Sequence, residues 1–493
     1  MTMILPRRTV TEEEWLKAVD RIAAGECSLL GLWGDDGCVH MALLTGGDIA
    51  VLTYTCKDGR YPSVGARHAA AIRLERAIGS LFGFEAVGST DTRPWLDLGF
   101  WDVKYPLSAV IPGRREAAGP GMTENYAFLP AEGEALHQIA VGPVHAGIIE
   151  PGHFRFTANG EHVVRLEQRL GYVHKGIESL MRGVSPEQAA KLAGRASGDS
   201  TVAYAFAFAQ AVEAASQVEV PPRAVYLRAL MAELERLANH FGDMGAICND
   251  ASFALMHAQT GILREQCLRA AEACFGHRLM MDRVVPGGVA RDIAADGAAA
   301  VRALVAEIRK VFPVLIELYD STASLQDRTV TTGIVKPEYA KSFGAGGYVG
   351  RASGRAFDAR RAPGYAPYDA LAFEVPVRQD GDVNARVWIR IREVEQSLAL
   401  IDQILDKLPS GDIGAPIAAQ GKTREGLALV EAFRGDVLVW LRIGGDSRIE
   451  RCHLRDASWF QWPLLEVAIE GNIVADFPLC NKSFNCSYSG HDL

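Results

Sequence analysis

At 493 residues, 48% of them hydrophobic and 23% charged, the chain has the length for two to four domains and the balance of an ordinary globular protein. A net charge of −9 argues against a nucleic-acid partner, which asks for a basic face. The most apolar runs, such as residues 203–212, fall well short of the ~20 residues that cross a bilayer, so a cytoplasmic chain is expected, with any membrane link made through other subunits.

In chain order, residues 11–17 are acidic and helical in character rather than part of a signal segment. Alternating apolar stretches over 27–33, 39–44 and 48–54 predict a small sheet, and apolar spacing predicts a helix over about 66–82. Residues 108–140 read as a linker, because Pro112, Gly113, Pro120, Gly121 and Pro130 punctuate regular structure. Beyond 141 a hairpin-like stretch (141–156, then 161–168) leads into helical patterns over about 186–217, 222–275, 293–326 and 387–408. The second of these is two helices or one long bent one. Antiparallel-looking segments lie near the C-terminus at 435–443 and 449–455. The expected fold class is therefore α+β: a small N-terminal α+β domain over 1–107, a linker over 108–140, and a large helix-rich domain over 141–493.

The nine cysteines contain no Cys-x-x-Cys pair. A dispersed, odd set in a large cytosolic chain reads as free thiols, most of them buried, and not as a cluster held by this chain alone.

Several motifs occur in an informative order. The N-terminal module closes on Arg93-Pro-Trp-Leu-Asp-Leu-Gly-Phe-Trp101, which resembles the end of the small hydrophilic complex I subunit that is fused to some hydrogenase large subunits. Further on come Gly142-Pro-Val-His-Ala-Gly147, Gly171-Tyr-Val-His-Lys-Gly-Ile-Glu178, Pro286-Gly-Gly-Val289, Phe373-Glu-Val-Pro-Val377 and Glu431-Ala-Phe-Arg-Gly-Asp436. This series resembles the quinone-site subunit of complex I and the large subunit of membrane-bound [NiFe] hydrogenases. The resemblance implies a fold of that type, a neighbouring iron–sulfur small subunit with a [4Fe–4S] cluster, and antiporter-like membrane subunits as further partners.

Hydrogenases of this family hold nickel and iron through two Cys-x-x-Cys motifs, since soft thiolates suit these metals. In this chain the first motif reads Arg195-Ala-Ser-Gly-Asp-Ser200, with Ser197 and Ser200 at the cysteine positions and Tyr204 where a histidine is usual. Aligned from Asp476-Phe-Pro-Leu479, the second motif falls on Asn485, Cys486, Ser487 and Gly490, so that Ser487 and Gly490 stand at the ligand positions. No metal is expected here. Asp199, at the start of a helix, reads with Ser197 and Ser200 as a capping cluster that fills the vacated cavity.

The resemblance also implies roles for single residues. Arg195 and Arg434 match arginines that face the family's cavity, and Glu178 matches a proton-relaying glutamate, its bland reading being a surface helix pair. His145 and Asp250 match the histidine and aspartate beside the quinone head group of complex I, where a group titrating near neutrality next to a carboxylate can supply protons. Gly198 stands where complex I has a tyrosine. His145 as a backbone-bonded loop residue, and Asp250 as a cap or partner of Arg264, are the plain alternatives. His162, His174 and His257 read as structural. The expected function is electron transfer, within a complex I-like and ion-pumping assembly, from an iron–sulfur subunit to a quinone or other acceptor without a nickel–iron centre. A non-catalytic coupling subunit and a degenerate hydrogenase are the rivals.

Overall fold

The computed structural model describes residues 7–99, 101–108, 126–145, 147, 149–418 and 421–493. Strand β1 (Arg7–Thr9) precedes helix α1 (Glu12–Ala23), whose start is set by a capping box in which Thr11 and Glu14 satisfy each other's backbone N–H. Strands β2 (Ser28–Asp35), β3 (Cys38–Thr45) and β4 (Asp48–Thr55) form an antiparallel meander, and β1 adds in parallel to β4, giving the order β1-β4-β3-β2. The helix expected over 66–82 is α2 (Ile72–Phe82), entered through a 3₁₀ turn at Ala69–Ala71. Short strands β5 (Arg60–Pro62) and β6 (Glu85–Val87) pair in parallel beside it.

Strands β7 (Leu136–Val141), β8 (His153–Asn159) and β9 (His162–Arg169) make a second antiparallel sheet. Strand β7 begins inside the segment read as linker and ends one residue past it, while residues 109–125 of that segment lie outside the described residues. The described residues between 142 and 152 form no strand, unlike the first hairpin arm expected there: Gly142 takes a left-handed conformation (φ 81°), and Pro143 and Pro151 cannot donate to a ladder.

After the single-turn α3 (Ile177–Leu180), the pattern read as one helix over 186–217 is two, α4 (Pro186–Ala193) and α5 (Thr201–Ser216). Helix α5 is apolar on every side and buried along almost its whole length, as a helix in the centre of a large domain must be. The long pattern that follows is also two helices, α6 (Pro222–Asp250) and α7 (Ala254–Phe275), reversing where Ser252 takes a left-handed conformation (φ 65°). A two-rung ladder, β10 (Val284–Val285) with β11 (Gly288–Val289), precedes α8 (Gly297–Ser321), α9 (Ala323–Thr329), α10 (Pro337–Ser342), α11 (Gly347–Ala352) and α12 (Val383–Lys407).

The C-terminal sheet has three strands, β12 (Arg424–Ala432), β13 (Gly435–Ile443) and β14 (Ile449–Arg455). Only the last two were expected. Helix α5 lies so close to β12 that a Cβ on Gly426 would fall 1.9 Å from the Ala211 carbonyl oxygen. Helices α13 (Ser458–Ala468), α14 (Phe477–Phe484) and α15 (Tyr488–Asp492) end the chain. The N-terminal sheet shares a core with the large domain, since Leu30 and Trp33 pack with Leu438 and Trp440. Among the described residues no helix is long and apolar enough to cross a membrane.

Candidate active site

The break between α4 and α5 creates the site. Gly194 and Gly198 interrupt the helical pattern, and Ser197, Asp199 and Ser200 bond through their side chains instead of extending the helix. Opposite them α14 stops at Asn485, a left-handed residue (φ 44°), and Ser487 starts α15. Ser197 and Ser487 stand at the first cysteine position of each motif, and their hydroxyl oxygens meet at 2.8 Å. Ser487 Oγ also accepts the Gly490 N–H at 2.9 Å. A Cβ at Gly490 would lie 2.9 Å from both Ser487 Oγ and Asp456 Oδ2, so a side chain at the last ligand position would have to displace one of them.

Arg434, in the turn between β12 and β13, holds the centre. Its Nη1 donates to Asp199 Oδ1 at 2.7 Å, its Nη2 to Asp199 Oδ2 and its Nε to the Asn485 carbonyl. Ser197 gives its hydroxyl proton to Asp199 Oδ1 at 2.8 Å, which leaves Ser487 as the donor in the serine pair. Burial would raise the Asp199 carboxyl, but the Arg434 guanidinium holds it below the usual carboxylate range. The arginine side chain is 5% exposed and the aspartate side chain 37%, so the carboxylate covers the cation. Underneath, Tyr204 donates to Asp456 Oδ2 at 2.8 Å. The resulting cavity has a volume of about 300 Å³ and is also lined by Ile149, Glu150, Asn481, Lys482, Cys486, Tyr488 and Ser489.

A nickel–iron centre does not fit these residues. It needs thiolates, and three of the four ligand positions here offer neutral hydroxyls already committed to hydrogen bonds while the fourth offers nothing. Cys486 on the cavity wall aims its sulfur at Gln461 Oε1, 3.9 Å away, and burial pushes its thiol pKa up.

Several expected site residues are placed otherwise. Arg195 does not face the cavity; it is captured by Asp282, which accepts from Nη2 at 2.8 Å, and is a surface ion pair. Asp199 does not cap α5. The first free N–H groups of that helix go to the Glu235 carboxylate, at 2.7 Å from Val202 and 3.1 Å from Ala203, and burial raises the Glu235 pKa to about 8. Asp199 serves Arg434 instead.

Glu178 lines a different cavity, apolar and about 530 Å³ in volume, between α2, α3 and β14. It is not a surface residue: Arg451 (2.8 Å), His453 (2.9 Å) and the Leu454 N–H (3.0 Å) donate to its carboxylate. Burial would raise its carboxyl, but Arg451 and His453 draw it down to about 2.

His145 donates its Nε2–H to the Gly152 carbonyl (2.8 Å), and Ile149 and Glu150, a few residues on, line the cavity. Asp250 ends α6 half-buried, its carboxyl raised by burial and moderated by Lys482 of the cavity rim; Arg264 packs against Gly242 instead. His174 is structural, stacked on Trp101 and bonded to the Asp492 carbonyl at 2.6 Å. Asp456 and Lys482 were missed; Asn485 was placed in the second motif but given no role, and here its carbonyl accepts from Arg434.

Fold and site define a class: a hydrogenase-type large subunit whose metal cradle has been rebuilt as a polar pocket around an ion pair. Residues 252–424 match the family described as respiratory-chain NADH dehydrogenase, 49 Kd subunit, and residues 175–242 match nickel-dependent hydrogenase. Formate hydrogenlyase subunit 5 of Escherichia coli is 34% identical over 440 residues, covering 88% of this chain and 77% of that one. The C/D component of the NADH-quinone oxidoreductase of Phocaeicola vulgatus is 30% identical, covering 85% and 86%. A solved chain of the membrane-bound sulfane sulfur reductase, an archaeal respiratory membrane complex, is 26% identical, with a TM-score of 0.69 over 73% of this chain and 99% of that one. The chain belongs to the family that joins the 49 kDa subunit of complex I to the large subunits of nickel–iron hydrogenases.

Proposed function

We propose that this chain is the acceptor-site subunit of a membrane-bound, complex I-like redox complex. Electrons reach it from a [4Fe–4S] cluster in an adjacent iron–sulfur subunit and pass to an acceptor in the pocket without a nickel–iron centre. The observation that carries this reading is the pocket itself. The two cysteine motifs still fold face to face, but around Arg434, Asp199 and three serines rather than four thiolates. The subunit is peripheral, on the cytoplasmic side, attached through the iron–sulfur subunit and antiporter-like membrane subunits, and coupled to ion movement. Relatives named as hydrogenase, NADH-quinone oxidoreductase and sulfane sulfur reductase components support an assembly of that kind, in which one fold serves several acceptors.

Quinone is one such acceptor. His145 and Asp250 then handle its protons from the loop and helix end that flank the pocket. The test is acceptor-dependent oxidation by the purified complex. Loss in His145→Ala and Asp250→Asn supports quinone, and full activity in both sinks it. Loss in Arg434→Met with the complex still assembled supports the pocket as the acceptor site. Stoichiometric nickel in the complex would restore the degenerate-hydrogenase reading. The coupling-subunit reading is favoured by one observation, the closed serine pair and ion pair, and it predicts that Arg434→Met leaves electron transfer to the acceptor intact.

A further inference from the structure

We propose that the pocket takes a small anion, held by Arg434 and Lys482, and that Asp199 occupies the anion's place until one arrives. This rests on the reading that the pocket is the acceptor site, and it gives that acceptor a charge.

The side chain of Arg434 is almost wholly buried, and a buried cation keeps a counter-ion because charge is costly to remove from water unpaired. The direct counter-ion here is unusual in two ways. Asp199 belongs to a three-residue 3₁₀ turn (Gly198–Ser200) and not to the body of a helix or strand, and over a third of its side chain is exposed. Rotated aside, it would enter water that it already touches. The guanidinium would then present its Nη1 and Nη2 edge to the cavity, a fork suited to carboxylate-like and oxyanion groups.

The rim carries a second cation. Lys482, in the last turn of α14, lines the cavity half-buried and makes no ion pair among the described residues; the acid whose titration it moderates, Asp250, is not part of the cavity wall. With Asp199 in place the lining is balanced, Arg434 and Lys482 against Asp199 and Glu150. With Asp199 turned out it carries an excess positive charge, which an incoming anion neutralises. Beside the apolar Ile149 and Tyr488, the wall offers Ser197, Asn481, Asn485 and Ser489, hydrogen-bonding groups that suit a compact polar ligand. A volume of about 300 Å³ lies at the small end for ligand sites.

An internal carboxylate is a competitor at high effective concentration, so removing its charge strengthens binding from solution. The test titrates thiosulfate into the purified complex by calorimetry. The expected result is weak, salt-sensitive binding to the wild type and at least about tenfold tighter binding to Asp199→Asn. Lys482→Ala should weaken it severalfold. The double variant Asp199→Asn/Arg434→Met, which removes both members of the pair and so leaves no buried charge unpaired, should not bind. Equal affinity in wild type and Asp199→Asn, or binding retained by the double variant, would overturn the proposal.

The two readings fail separately. Tighter thiosulfate binding in a complex that passes electrons to no acceptor removes the proposed function and keeps the anion site. Electron transfer to an acceptor with no gain in Asp199→Asn does the reverse.

Discussion

Two arginines gather carboxylates inside this protein, and they do so in opposite ways. Arg351 on α11 is fully buried and meets Glu393 at 2.7 Å, Glu431 at 2.8 Å and Asp358 at 3.4 Å. Those acids are shared onward: Glu393 with His240 at 2.7 Å, and Asp358 with Arg360, which reaches Glu233 at 3.0 Å. The network ties α6, α11, α12 and β12 together with every member buried. Arg434 instead has one direct carboxylate, and that carboxylate faces a cavity. A closed network has no position open to exchange, whereas a half-open pair does. The scaffold and the site of this chain therefore rest on separate charge systems.

That contrast breaks most directly at Arg351. Arg351→Met leaves three buried carboxylates without their shared cation, and the loss should reach roughly 3–5 kcal/mol or more in urea unfolding. If Arg351→Met costs no more than Arg434→Met, the closed network does not carry the scaffold. The next effect is at Glu178, which sits ion-paired in the wall of the apolar cavity. Its folded pKa of about 2 lies below the unfolded value of 4.5, so its stabilisation is complete above pH 4.5 and is lost as pH falls through 2. At neutral pH that is worth roughly 3 kcal/mol. Glu178→Gln should lose about that much at pH 7 and flatten the acid limb of stability measured between pH 5 and 2. An unchanged acid limb would show that the carboxylate is not held ionised.

The sequence made the scaffold legible for a physical reason: the meander β2–β4 announces itself by alternation, and α6, α7 and α12 by apolar spacing. Element boundaries at the site were harder. Ala193 and Ala196 continue the apolar rhythm of α4 toward α5, hiding the turn in which Ser197 and Asp199 lie. The alignment of the second motif singled out Ser487, whose hydroxyl lies 2.8 Å from that of Ser197. It failed at Arg195, where matching a motif says nothing of Asp282, a left-handed turn residue (φ 60°) far along the chain that draws the side chain outward. Asp456 and Lys482 could not be found from spacing. Lys482 reaches the cavity from the last turn of α14, and Asp456 lies beneath it as the partner of Tyr204, placements set by tertiary packing.

Smaller effects sharpen the picture of the half-open pair. Arg434→Met should cost about 1–3 kcal/mol, less than Arg351→Met, because Asp199 can hydrate once released. Ser487→Ala should cost least, about 1 kcal/mol, since it removes the acceptor for the Gly490 N–H at the start of α15 and the bond to Ser197. Ser197 keeps its own bond to Asp199 in that variant, so the ion pair remains and thiosulfate affinity should stay within about twofold of wild type. A Ser487→Ala loss larger than that of Arg434→Met, read in the same urea series, would mean that the serines hold the rebuilt site closed and the ion pair merely occupies it. The cavity would then belong with the closed network around Arg351, and Asp199 would have no reason to yield to a ligand.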